Sequence, residues 1–348
     1  MRLVNRKRIV LIPIVLLVLP IVMSGLTIEV QAQTEPAQNV AVSVASLAGI
    51  VKEIGGQLID TSVLLNQETD PHAFTVTPEV LAIADAADLL VFTGHYHWEE
   101  ELANQTATPF ITLHSETAWE NYEDFGAQFS PMPGSTEGNP HAYWLLPNNA
   151  IAIANATRAA FTILNGTYTD AWNENFATFL DNIDYLQQLI TELDAIHDFS
   201  KLQAVAVTPA EAYVAETFGI KCIAALQVED ITLSGGRLLE VQNAIRNGSV
   251  QLIVGSDVAQ FQAGGEFAYQ IQADYGGTLI WWKTVYFPEY DYFSMMTFNL
   301  GALVSGIEGR SGGTSDQTLN LGLVALSLSL GIIALLEAIL LIQRARAD

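Results

Sequence analysis

"YTDAWNENFATFLDNIDYLQQLITELDAIHDF", residues 168–199, decides how the rest of the chain is read. Its apolar residues Trp172, Phe176, Phe179, Ile183, Leu186, Leu189, Ile190 and Leu193 recur mostly at steps of three and four, the period of one helical face. The spacing predicts a single long helix. On either side of it, short apolar runs alternate with helical patterns, so the helix stands between two similar halves.

Before it, "VAVSVAS" (40–46) reads as a buried strand and "LAGIVKEIG" (47–55) as a helix. "QLIDTSVLL" (57–65) is a second strand, and Pro78 opens "PEVLAIADAA" (78–87) at a helix start, where its missing N–H costs nothing. "DLLVFTG" (88–94) and "PFITLH" (109–114) are further strands. The stretch 115–140 is a polar, acidic, Pro- and Gly-bearing loop carrying Glu116, Glu120, Glu123, Asp124 and Glu137, read as solvated. "NNAIAIANATRAAFTIL" (148–164) is helical.

After the long helix the alternation resumes. "LQAVAVT" (202–208), "IKCIAALQV" (220–228), "VQLIVGS" (250–256) and "TLIWW" (278–282) are strands. Helices lie between them, and "EYDYFSMMTFNLGALVSGI" (289–307) closes the series as another. Apolar strands alternating with helices point to parallel sheets covered on both faces. The expected fold is α/β: two Rossmann-like lobes, residues 38–167 and 201–306, joined by one backbone helix, 168–200.

The two ends read differently. Arg2, Arg6, Lys7 and Arg8 precede the uncharged run "IVLIPIVLLVLPIVM" (9–23), which fits a signal peptide or N-terminal anchor over 1–32. "LNLGLVALSLSLGIIALLEAILLI" (319–342) is long enough to span a bilayer, after a linker over 307–318. Arg344 and Arg346 beyond it place that end in the cytoplasm by the positive-inside rule. The expectation is a single-pass protein of the cell membrane, with its large N-terminal part outside and a short cytoplasmic tail. Four Asn-x-Ser/Thr sequons, at Asn104, Asn155, Asn165 and Asn247, fit an exported glycoprotein.

The formal net charge is −24, and six of the 14 basic residues sit at the two ends, so the part between is more acidic still. Such a surface repels nucleic acid and anionic lipid and attracts cations. The lone Cys222 allows no internal disulfide. No P-loop, nucleophile elbow or HExxH pattern is present, so no enzyme is indicated.

Two loops carry near-identical settings for histidine. His72 lies in "DPHAF" (70–74) and His141 in "NPHAYW" (139–144), each behind a proline and before an alanine and an aromatic. Loops at the carboxyl ends of parallel strands meet in the crevice where open α/β sheets bind ligands. The prolines stiffen the loops and lower the entropy lost when an imidazole is immobilised. Asp70 can orient an imidazole from behind.

These residues, in order, resemble a known family. "DPHAFTVTPEVLAIADAADLLVFTG" (70–94), "NPHAYWLLPNNAIAIANATRAAF" (139–161), the long helix, "TPAEAYVAETFGI" (208–220) and "YFSMMTFNL" (292–300) are similar to the zinc/manganese-type metal-binding solute receptors of ABC importers. The resemblance covers most of residues 38–306. It implies a cleft binding a divalent transition metal, Zn2+ or Mn2+, an importer permease as partner, and a monomeric receptor. It also implies three metal-binding histidines and a carboxylate. His72 and His141 match two of them. Thr208 stands at the position of the third, and Lys283 near that of the carboxylate.

The missing donors have four candidates. His95 and His97 in "TGHYHWEEEL" (93–102) face the same way if that segment is extended. Glu211 lies near Thr208, and Asp257 follows a predicted strand and either caps a loop or binds. Glu99, Glu100 and Glu101 read as a solvated helix start, His114 as structural or exposed, and His197 as a cap on the long helix. Trp281 and Trp282 are candidates for the second lobe's cleft face. The rival reading, based on Thr208 and Lys283, is a surface or adhesion protein, or a receptor for another ligand, that keeps the fold but has lost the metal site.

Overall fold

The computed structural model describes residues 38–65, 70–229, 231–287 and 290–311. The signal or anchor stretch 1–32 and the apolar span 319–342 lie outside them. Among the described residues, no helix is long and apolar enough to cross a membrane.

The first lobe starts with β1 (Gln38–Val42), α1 (Ala45–Gly55), β2 (Ile59–Val63), α2 (Pro78–Ala86) and β3 (Leu89–Val91). It continues with α3 (His97–Gln105), β4 (Phe110–Thr112), β5 (Glu120–Asn121) and α4 (Pro147–Leu164). Its five strands pair all-parallel in the order β2-β1-β3-β4-β5. That order reverses direction between β1 and β3, the point where an open sheet leaves a crevice at the strands' carboxyl ends.

The helix α5 (Thr169–His197) follows, 29 residues long. It buries Trp172, Phe179, Ile183 and Leu186 and half-buries Phe176, Leu189, Ile190 and Leu193, the stripe its sequence spacing predicts. Asp198, left-handed at φ 55°, ends it.

The second lobe holds β6 (Gln203–Ala206), α6 (Glu211–Thr217), β7 (Lys221–Ala225), a short antiparallel pair β8 (Gln227–Val228) and β9 (Ile231–Thr232), and α7 (Gly235–Arg246). Then come β10 (Leu252–Ser256), α8 (Ala263–Tyr275), β11 (Thr278–Trp282) and α9 (Tyr292–Ser311). Its parallel sheet runs β11-β10-β6-β7, with the same reversal between β6 and β10.

Side-chain alternation divides this sheet between two cores. Ala204, Ala206, Leu252 and Val254 face the main core, which is continuous with the first lobe. Val205, Val207 and Ile253 face a smaller one with Leu226, Val241 and Ile271. One core therefore runs through both lobes beneath the cleft.

Three local readings change. The first strand ends at Val42 and α1 begins at Ala45, because Ser46 turns in to accept the indole N–H of Trp144. The last helix runs to Ser311, five residues into the stretch read as linker. The acidic loop 115–140 contains β5 and a bridge between Pro131 and Gly138, and is tied to the second lobe where Ser130 donates to Glu216.

Candidate metal centre

His72 sits in a single 3-10 turn, residues 71–73, that follows β2. Asp70 caps this turn by accepting the backbone N–H of His72 at 2.9 Å. Pro71 is buried at the first position, and its carbonyl accepts the indole N–H of Trp98 at 3.1 Å. The side chain of Gln262, at the start of α8, donates to the other Asp70 oxygen at 3.2 Å, so the His72 turn is held from both lobes.

His95 follows β3 in a loop built around one buried carboxylate. Glu99 accepts the backbone N–H groups of Thr93, Gly94, His95 and Tyr96 and the hydroxyl of Thr93. Burial nonetheless pushes its carboxyl above the usual range. The loop needs a glycine at 94, with φ 74°, since a Cβ there would lie 2.6 Å from the Thr112 hydroxyl. Glu99 is thus an internal loop anchor and not part of a solvated helix start: as third residue of α3 it reaches back to accept the N–H of the cap residue Tyr96 and those of the loop before it.

His141 precedes α4, in a loop that turns through Ala142 at φ 57°. The Tyr143 hydroxyl donates to the Thr93 carbonyl at 2.7 Å, which joins this loop to that of His95. The Oδ1 of Asn139 lies 3.1 Å from both the backbone nitrogen and the Nδ1 of His141.

The three loops bring His72, His95 and His141 together. Each offers one ring nitrogen, and these atoms all lie within 4.8 Å of one another. Ring centroids are 4.8 Å apart for His72 and His95, 5.5 Å for His72 and His141, and 4.6 Å for His95 and His141. The Nε2 atoms of His95 and His141 are buried and have no hydrogen-bond partner. Burial, with the neighbouring imidazoles, lowers His95 to about 3 and His141 to about 4, so both are neutral at physiological pH. Neutral imidazoles with free, inward lone pairs are metal donors. Tetrahedral zinc at its usual bond lengths spaces its nitrogens about 3.3 Å apart, so the three nitrogens would draw closer together around an ion.

A cavity of about 440 Å³ opens over His72 and His141, walled on the second lobe by Thr208, Glu229 and Val285 among others. His95 also lines a second depression of about 570 Å³, with His97, Glu100 and His114.

The remaining candidates lie elsewhere. His97 is the first residue of α3, with a side chain 92 % exposed beside Glu100, because the segment turns helical at that point and the expected alternation with His95 ends. Glu211 is fully buried and turns back to accept the N–H and hydroxyl of Thr208, while burial raises it to about 7. Asp257 accepts the backbone N–H groups of Thr284, Val285 and Tyr286, which makes it the cap of the loop after β11. Lys283 places its ammonium 3.2 Å from the centre of the Phe287 ring, away from the cavity. Trp282 is buried against Phe218 and Trp281 packs on Tyr269, so neither lines the cleft. His114 pairs with Glu123 at 3.1 Å, and His197, at the end of α5, approaches Glu308 at 3.8 Å.

Sequence reasoning misses Glu229, a second-lobe carboxylate on the cavity wall. It has φ 50°, and its carbonyl is held by the Gln227 amide. Nothing in the pattern "LQVED" marks it. Glu99 has a signal, an acid three residues after the helix cap.

Two open parallel sheets, one long helix and a cleft lined from the strands' carboxyl ends define a two-lobed, cleft-binding solute receptor. The chain belongs to the family of the periplasmic zinc-uptake complex component A, ZnuA, whose model matches residues 40–306. The solved structures bear out the fold. A crystal structure of ZnuA is 20% identical and superposes with a TM-score of 0.61 over 76% of this chain and 98% of that one. The AdcAII protein of Streptococcus pneumoniae is 18% identical, with a TM-score of 0.62 over 78% of this chain and 100% of that one. FpvC of Pseudomonas aeruginosa, solved in complex with Mn2+, is 17% identical, with a TM-score of 0.62 over 79% and 99%.

Proposed function

We propose that this protein is the receptor that captures a divalent transition metal for an ABC importer, with the metal as cargo held by His72, His95 and His141. The observation that carries the reading is the convergence of three ring nitrogens within 4.8 Å, two of them buried without a partner. An all-imidazole set suits zinc better than manganese, which favours carboxylate and water oxygen. Family membership supports the importer permease as the partner. Export, and tethering by the apolar span 319–342, would keep the receptor beside that permease.

All three donors come from the first lobe. His95 thereby stands in for the donor that Thr208 cannot supply, which answers the main observation in favour of a lost site. Glu229 lines the same cavity from the second lobe, outside the three-histidine group, and is its candidate for a further contact to the ion. Calorimetry with zinc on the full-length chain and on the His72→Ala/His141→Ala double variant tests the reading. Binding by the unaltered protein and none by the variant is expected; equal affinity in both overturns it.

A further inference from the structure

Asn139 is 1 % exposed, and its backbone and both ends of its side-chain amide are hydrogen-bonded. Its backbone N–H donates to the Ser130 carbonyl at 2.8 Å, and its carbonyl accepts from the Tyr213 hydroxyl of α6. In the side chain, Nδ2 donates to the Pro209 carbonyl at 2.8 Å, and Oδ1 lies 3.1 Å from both the backbone nitrogen and the Nδ1 of His141.

The chemistry of these partners allows one orientation of the amide. The Pro209 carbonyl can only accept, so it must face the NH2 group. The backbone N–H of His141 can only donate, so it must face the oxygen. An oxygen that only accepts then requires a proton on Nδ1 of His141. The neutral imidazole carries one proton, so its lone pair is on Nε2, the atom that is buried without a partner.

We propose that Asn139 is the positioning residue of the metal site: it fixes the tautomer and direction of His141, and the second lobe holds it in place to do so. Pro209 adjoins Thr208 on the second lobe's cavity wall, and Tyr213 is on α6. The ring that presents a donor from the first lobe is therefore oriented by an amide pinned by the second. Aspartate would accept from His141 equally well but could not donate to Pro209, so only the amide serves both sides.

The inference rests on the metal reading above, and the two fail separately. The test uses the full-length chain with Asn139→Ala, which removes acceptor and donor, and Asn139→Asp, which restores the acceptor alone. Nitrogen-15 NMR of the metal-free protein reads the His141 tautomer, and competition titration with zinc reads affinity. The expected result is an Nδ1-protonated His141 in the unaltered chain and in Asn139→Asp. In Asn139→Ala the tautomer is released and zinc affinity falls by about 10–100-fold, the usual cost of losing an outer partner. Asn139→Asp keeps the acceptor for His141 but loses the tie to Pro209, so its loss of zinc affinity is smaller than that of Asn139→Ala. An Nε2-protonated His141 in the unaltered chain overturns the proposal. So does undiminished zinc affinity in Asn139→Ala, or an equal loss in both variants, which would make the residue a structural tie only. Absence of zinc binding by the unaltered chain overturns the metal reading itself, before any variant is made.

Discussion

The imidazoles of His95 and His141 meet edge to face at 4.6 Å between centroids, although they stand on separate connections of the first lobe. Their free Nε2 atoms give them one shared role. His95→Ala should therefore lower zinc affinity by more than the roughly 10–100-fold that an outer partner is worth. His97→Ala, two residues away and exposed, should leave it unchanged. Zinc titration of the two variants checks both, and equal effects would remove His95 from the site.

Glu99 should matter for stability before it matters for metal. Glu99→Ala strands the N–H groups of Thr93, Gly94 and Tyr96, and a buried unsatisfied group costs about 1–3 kcal/mol. We expect a loss of about 3 kcal/mol or more in denaturant unfolding, and weaker zinc binding as the His95 loop loosens. Glu99→Gln keeps one acceptor and should fall between the two.

Asp257 gives the opposite pattern. Asp257→Asn turns an NH2 group toward backbone donors that now meet a carboxylate oxygen, so the melting temperature should drop. Zinc affinity should stay within about twofold, because a cap that ligates nothing contributes to stability alone. A larger loss of affinity would return Asp257 to the list of ligands.

Stability should fall on both sides of mildly acidic pH. His95 and His141 have folded values of about 3 and about 4, below the ordinary 6.5. The unfolded chain therefore takes up protons first, and stability present above pH 6.5 is lost as pH falls toward 4 and 3. Glu53 and Glu211 are raised from 4.5 to about 7, mainly by burial. Their contribution is present below pH 4.5 and is lost as pH rises through 7. Glu211→Gln should raise the stability at about pH 8 relative to that at about pH 5, read by denaturant melts. An unchanged difference would show that Glu211 does not titrate in this range.

Much of the fold was legible because it follows from local periodicity. The stripe from Trp172 to Leu193 predicts α5, and the strand–helix alternation predicts two parallel sheets. The pairing of the His72 and His141 loops was legible too, since each follows a proline at the end of a parallel unit. The choice among His95, His97, Glu211 and Asp257 was not. Each is a polar residue near a strand end, and the sequence leaves all four equivalent.

By itself, then, the sequence determined the class of fold, the long helix and two of the imidazoles, because hydrophobic period and chain stiffness are properties of neighbouring residues. Only the tertiary structure brought His95 beside His72 and His141, turned Glu211 and Asp257 inward, and set Asn139 between His141 and Pro209. Those outcomes depend on which buried N–H groups need an acceptor, and that is set by residues distant in the chain. Glu99, Glu211 and Asp257 are drawn to such donors and Lys283 to an aromatic ring, which leaves His72, His95 and His141 beside one another, with the Nε2 atoms of His95 and His141 free of partners.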